Sequence, residues 1–199
     1  VVDLRPLENH RQALIRLDII PRDQHCISRK NISDGALKVM SRLRSGGFQA
    51  YLVGGAVRDL LLGGRPKDFD IATDATPEAV TALVRNSRII GRRFRIVHVR
   101  FGREIIEVTT FRGHHDTKLN ESQQDEKGGN HSRQSASGLL LRDNVYGTLE
   151  EDAARRDLSV NALYYDSGKF EVFDHLHGLE DTDNRTISIF GIPEQLYTD

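Results

Sequence analysis

Apolar positions recur at helical spacing over Ala36, Leu37, Val39, Met40 and Leu43, behind Ser33 as N-cap and ahead of Gly46-Gly47. That spacing predicts a helix. Residues 48–53 are a short apolar run and predict a buried strand, punctuated by Gly54-Gly55. A helical stretch over 56–62 follows, stopped by Gly63-Gly64, and residues 69–72 predict a second strand. Thr76-Pro77-Glu78 opens a helix, with Thr as N-cap and Pro at the first helical position, running to about Val84. Three β-like runs follow at 87–90, 95–101 and 104–111, the last two joined by a hairpin signal at Gly102-Arg103. Thr148-Leu149-Glu150-Glu151 is a capping box, predicting a helix that carries residues 152–157. A short helix over 159–163, a hairpin at Ser167-Gly168 and a strand at 186–189 complete the pattern. Strands with interleaved helices predict an α/β (α+β) domain, a sheet packed by helices.

Two stretches lack such periodicity. Residues 1–31 hold Pro6, Pro21 and many charges, and are expected to form a loosely docked N-terminal arm. Residues 113–138 are polar almost throughout and bury too little to offset their ordering entropy; a mobile loop is expected there. The domain itself is expected over 32–190, with 191–199 starting a linker. The chain opens on Val1 and ends soon after Gly191 and Pro193, so a piece of a longer polypeptide is expected.

The 199 residues carry 38% hydrophobic and 29% charged side chains, a low apolar share that the two polar stretches explain. Lone Cys26 excludes an internal disulfide framework and a cysteine-based zinc site. No apolar run approaches the roughly 20 residues that span a bilayer, so no membrane partner is expected. The charge pattern gives no signal peptide, and a cytoplasmic location is the simple reading. Net charge is −1, from 28 Lys+Arg and 29 Asp+Glu, which argues against an all-over basic nucleic-acid binder. The sum conceals a local stripe: from Arg85 to Arg103 there are seven Arg and no acid. Such a stripe suits phosphates of RNA or of a triphosphate, and equally a solvated strand face.

The chemistry concentrates in Leu52-Val53-Gly54-Gly55-Ala56-Val57-Arg58-Asp59 and Lys67-Asp68-Phe69-Asp70. Glycines between a strand and a helix let backbone approach a ligand closely, and a helix start favours phosphate. Asp68 and Asp70, two apart on a strand, share one face while Phe69 and Ile71 point into the core. Two parallel carboxylates need neutralising, and their hard oxygens suit Mg²⁺. Two such ions can activate a hydroxyl and stabilise a leaving pyrophosphate. Glu107 shares a face with Ile105 and Thr109, and a neighbouring strand would bring it to Asp68 and Asp70.

These residues resemble the head-domain signature of the polymerase β-like nucleotidyltransferases, in the branch of bacterial poly(A) polymerases and tRNA CCA-adding enzymes. Arg155-Arg156-Asp157-Leu158-Ser159-Val160-Asn161-Ala162-Leu163 resembles that branch's Arg-Arg-Asp nucleotide motif, and residues 104–112 its Glu-containing strand followed by Phe-Arg. Within the branch, Ile89-Ile90-Gly91-Arg92-Arg93-Phe94-Arg95-Ile96-Val97-His98-Val99 resembles the poly(A) polymerases.

The resemblance implies attack of an RNA 3′-hydroxyl on the α-phosphate of ATP, releasing pyrophosphate. The alternatives are a CCA-adding enzyme and an inactive RNA-binding relative. It implies Asp68 and Asp70 as ligands of two Mg²⁺ ions, with Glu107 or Asp157 as the third acid. Gly54, Gly55 and Arg58 would face the triphosphate, and Arg155 or Arg156 would hold phosphate or ribose with Asn161 in support. Asp59 would serve structure. Arg92, Arg93 and Arg95 would contact RNA or phosphate. A helical neck domain after residue 199 would read the adenine. His98, His114 and His115 offer no zinc site, since adjacent histidines diverge and no soft third ligand is near.

Overall fold

The structure is a computed structural model that describes residues 2–3, 16–92, 94–113 and 146–189. Its centre is an eight-stranded mixed sheet. Its strands are β2 (Asp18–Ile20), β3 (Ala50–Val53), β4 (Phe69–Thr73), β5 (Ser87–Ile90), β6 (Ile96–Phe101), β7 (Glu104–Thr110), β8 (Leu163–Asp166) and β9 (Glu171–Asp174). They lie in the order β2-β9-β8-β3-β4-β7-β6-β5. Only the β4–β7 pair is parallel within it. Between those two strands the chain crosses over through α3 (Pro77–Leu83) and the β5–β6 strands. A separate parallel pair joins β1 (Val2–Asp3) to β10 (Ile187–Ser188).

The expected helices form for the expected local reasons. Ser33 Oγ accepts the Ala36 N–H at 3.1 Å and opens α1 (Asp34–Ser45), which buries Ala36, Val39, Met40 and Leu43. Thr76 caps α3 and the Thr148–Glu151 capping box opens α4 (Leu149–Ala154). α2 (Gly55–Leu61) begins one residue earlier than its apolar pattern, because Gly54 is itself the N-cap. α1 and α3 pack over one sheet face, where Leu52, Ile71, Ile106, Val97 and Val99 join the larger core. On the other face Leu149 and Ala153 of α4 meet Tyr51, Val53, Ala72, Phe111, Tyr164 and Phe173.

Three expectations need correcting. The described part of the N-terminal arm is not loosely docked: β2 pairs with β9 at the sheet edge, and Ile20, Ile27 and Ile32 are buried in the larger core. The helix expected to carry residues 152–157 ends at Ala154, with Arg155 as its C-cap, so the Arg-Arg-Asp motif lies beyond it. The segment after it is a single 3-10 turn, Ser159–Asn161, because β8 takes over at Leu163. One further helix, α5 (Gly178–Asp183), carries no apolar periodicity that would have announced it. The loop expected over 113–138 lies outside the described residues except for Gly113, and the expected linker over 191–199 lies wholly outside them.

Candidate active site

Strand register sets the site. Residues opposite one another on paired strands share a face, so the pairings give one continuous row: Ile19, Phe173, Tyr164, Val53, Asp70, Glu107, His98, Arg88. The first four are apolar or aromatic; Phe173, Tyr164 and Val53 pack with α4, and Ile19 is exposed at the sheet edge. The last four are polar and face away from α1 and α3, which pack with Ile71, Ile106, Val97 and Val99 on the opposite face. Asp70 and Glu107 stand where the covered half of the face meets the uncovered half.

Asp70 is half-buried on β4, and Asp68 is exposed just before that strand. Burial holds the Asp70 carboxyl above the ordinary range; the Glu107 carboxylate and then Asp68 add to this, against a pull from Arg156. Three acids acting on one another is the electrostatic setting a divalent cation relieves. Among the described residues no three His, Cys, Asp or Glu side chains form a ready-made cage. This donor set fits Mg²⁺, which takes one or two carboxylates together with substrate phosphates rather than a complete protein shell. His98 Nε2 stands 3.2 Å from Glu107 Oε1, out of line for a good hydrogen bond.

The glycines and arginines gather on the covered side. Gly54 has φ +72° and ψ −142°, a conformation open to glycine almost alone. A Cβ there would face Arg156 Nη1 at 3.7 Å, and one on Gly55 would meet Arg58 Nη2 at 3.3 Å. Arg58 donates to Asp59 Oδ1 through Nε and Nη2, at 3.0 and 2.8 Å, and through Nη1 to Asn161 Oδ1 at 3.0 Å. Gly54, Gly55, Arg58, Arg156 and Asn161 are thus brought together, with the Asp59 carboxylate holding Arg58.

The two motif arginines part company. Arg155 is exposed. Arg156 turns inward: Nε donates to the Tyr164 hydroxyl at 2.9 Å, Nη1 to the Asn161 carbonyl at 3.3 Å, and Nη2 to Asp152 Oδ2 at 3.2 Å. Asp152, which sequence reasoning missed, is the hub. It also accepts the Tyr164 hydroxyl at 2.7 Å and the Arg112 N–H at 3.1 Å. Its sequence signal was the four-residue offset from Arg156. A cleft of about 280 Å³ lined by Thr109, Arg112, Asp152, Arg155 and Arg156 opens beside this network. Asp157 is exposed and makes no ion pair among the described residues; the buried aspartate paired with the motif's Arg156 is Asp152.

Of the stripe residues, Arg92 is exposed, Arg95 pairs with Glu78 of α3 at 2.5 Å, and Arg93 lies outside the described residues, as do His114 and His115. Arg95 is therefore committed to a helix as well as carrying stripe charge.

A profile described as "Poly A polymerase head domain" matches residues 50–188. The chain belongs to that family. Similar proteins include "Poly(A) polymerase I" of Escherichia coli, 53% identical over 188 residues, covering 94% of this chain and 39% of that protein. "CCA-adding enzyme" of Staphylococcus aureus is 32% identical over 168 residues, covering 84% of this chain and 38% of the other. Among solved structures, the Bacillus stearothermophilus CCA-adding enzyme in complex with CTP superposes with TM-score 0.60 at 33% identity, covering 81% of this chain and 34% of that one. The chain thus spans about two fifths of the length of the curated relatives it matches. As a poly A polymerase head domain, it has a mixed sheet that carries the acid row at its centre.

Proposed function

We propose that this chain is the catalytic head of an enzyme that adds AMP from ATP to RNA 3′ ends without a template, releasing pyrophosphate. The carrying observation is the Asp70–Glu107 pair in register on the parallel strands, with Gly54-Gly55 and Arg58 on one side of it. Identity supports polyadenylation over CCA addition: 53% to the first kind of relative against 32% to the second.

In this reading Asp68 and Asp70 hold Mg²⁺, with two ions expected. Held there, the metal would lower the pKa of the attacking hydroxyl and offset the charge of the departing pyrophosphate. Glu107 orients the 3′-hydroxyl or completes the metal shell. The backbone at Gly54-Gly55 lets the triphosphate approach closely, and Arg58, fixed by Asp59 and Asn161, meets its charge. Arg156, fixed by Asp152 and Tyr164, presents its cation at the edge of the same space. Arg155, exposed, takes up phosphate or ribose from the outside, and Asp157, also exposed, is the other candidate third acid. In this reading Arg92, Arg93 and Arg95 contact RNA or phosphate. Base choice belongs to helical domains of the full-length protein, and a cytoplasmic, RNA-processing setting follows.

Full-length protein given oligo(A) RNA, Mg²⁺ and each nucleotide separately tests this. ATP-dependent tail growth is expected, lost in Asp68→Ala and Asp70→Ala with thermal unfolding retained. CTP incorporation onto truncated tRNA would instead make it a CCA-adding enzyme. Absence of metal-dependent ATP binding would make it an inactive relative.

A further inference from the structure

The half of the site face beyond Glu107 has a form of its own. β5, β6 and β7 turn Arg88, Ile90, His98, Arg100 and Ile105 to this side, while Val97, Val99 and Ile106 point into the core. Together these outward residues line an open groove of about 560 Å³. Ile105, the second residue of β7, is 47% exposed opposite Arg100. An exposed isoleucine between arginines on an uncovered sheet face is a surface that wants an occupant with both charge and apolar faces. The only acid on this half among the described groove and row residues is Glu107, at its inner edge.

The groove also has a direction. The row Arg88–His98–Glu107–Asp70 runs straight across three strand spacings, about 14 Å at roughly 4.8 Å each. It begins at an exposed arginine and ends at the acid pair. The opposite side of that pair is taken by Gly54-Gly55, Arg58, Arg156 and α4. With those groups on one side, the face across β7, β6 and β5 is an open approach for a polyanion to Asp70.

We infer that this groove binds the single-stranded 3′-terminal segment of the RNA primer, with Arg88 and Arg100 on its phosphates and Ile90, His98 and Ile105 against its riboses and bases. The inference rests on the adenylyl-transfer reading above. It adds to the expected contacts of Arg92, Arg93 and Arg95 the two arginines that line the groove. Apolar contacts to riboses and base faces read no base edges, so they tolerate any sequence.

The test uses the full-length protein with both arginines reversed, Arg88→Glu/Arg100→Glu. KM for RNA is expected to rise at least tenfold, with KM for ATP and kcat at saturating RNA within twofold of wild type. The dependence of log affinity on log salt for single-stranded RNA should fall in slope by about 1.4, at roughly 0.7 per lost phosphate contact. Independently, RNA carrying 4-thiouridine in its last three positions should crosslink to wild-type protein within residues 85–106, which needs no folded variant. An unchanged KM for RNA, or crosslinks that all fall elsewhere, would overturn the assignment while leaving adenylyl transfer standing. Lowered thermal stability of the double variant with KM for RNA unchanged would give the groove to another segment of the full chain, also against it. Wild-type protein that extends no RNA would bring down the adenylyl-transfer reading first, and this inference with it.

Discussion

Asp70 and Glu107 stand directly opposite each other on the parallel strands β4 and β7. Two carboxylates so placed repel, and one of them is half-buried. The folded protein therefore binds a proton at Asp70 more tightly than the unfolded chain does. In the metal-free protein this group's stability contribution is greatest below the ordinary carboxyl value of 3.8 and falls as pH rises through the raised folded value. Asp70→Asn should thus stabilise the metal-free protein at pH 7, by ~0.2–1 kcal/mol, the range of a cross-strand pair. The gain should vanish as pH drops below 3.8. Added Mg²⁺ should raise the Tm of wild type and not of the variant. Calorimetric scans at several pH values, with and without Mg²⁺, check both parts; a variant less stable than wild type at pH 7 without metal would contradict the argument.

Asp152 holds three partners that cannot turn to water without disrupting the packing around Tyr164. Its removal leaves the Arg156 guanidinium half-buried without its carboxylate. Asp152→Ala should cost about 3–5 kcal/mol in urea unfolding. Tyr164→Phe takes away one hydroxyl and should cost only about 1 kcal/mol. The double variant should fall short of the sum, since both changes release Arg156. Additive losses would mean that the three groups do not act as one network.

The sequence made the strand–Gly-Gly–helix block legible because glycine conformation is local, and it marked the Asp-x-Asp pair. But β4 begins at Phe69, so Asp68 precedes the strand and the two-residue period applies only to Asp70. The same period placed Glu107 and Thr109 on one face and Ile106 and Val108 on the other, as found. What stayed hidden depends on partners far along the chain. β2 is three residues long and becomes a strand only because β9, some 150 residues later, offers an edge. Arg155 and Arg156 read as equivalent neighbours; the end of α4 at Ala154 turns one out and the other in. The acid-free arginine stripe looked uniform because Glu78, which pairs with Arg95, sits on another element.

Gly54 turns the chain from β3 into α2 with positive φ. A methyl group would find room, since the nearest atom to a Cβ lies at 3.7 Å, so backbone strain and not crowding sets the penalty. Gly54→Ala should lose on the order of 1–3 kcal/mol. Relief of that strain would shift the Gly54-Gly55 amides, so KM for ATP should also rise several-fold in the full-length enzyme. Equilibrium unfolding and ATP titration measure the two effects separately, and an unchanged stability would remove the strain argument.

Glu107 and Asp157 offer a discriminating pair. Glu107 adjoins Asp70 in the row, at the mouth of the groove, whereas Asp157 is exposed beyond Arg156. A group beside the reacting hydroxyl or the metal acts in the transition state and lowers kcat; a group that touches bound nucleotide equally throughout raises KM. Glu107→Gln should therefore lower kcat at least tenfold and raise the Mg²⁺ concentration needed for half activity, with KM for ATP little changed. Asp157→Asn should chiefly raise KM for ATP. Asp157 makes no ion pair among the described residues, so its variant should unfold within about 0.5 kcal/mol of wild type, as surface substitutions do. Steady-state kinetics across Mg²⁺ concentrations separate the two roles. A kcat loss confined to Asp157→Asn would move the third acid from the sheet row to the motif after α4, because register alone would then have failed to mark the group nearest the chemistry.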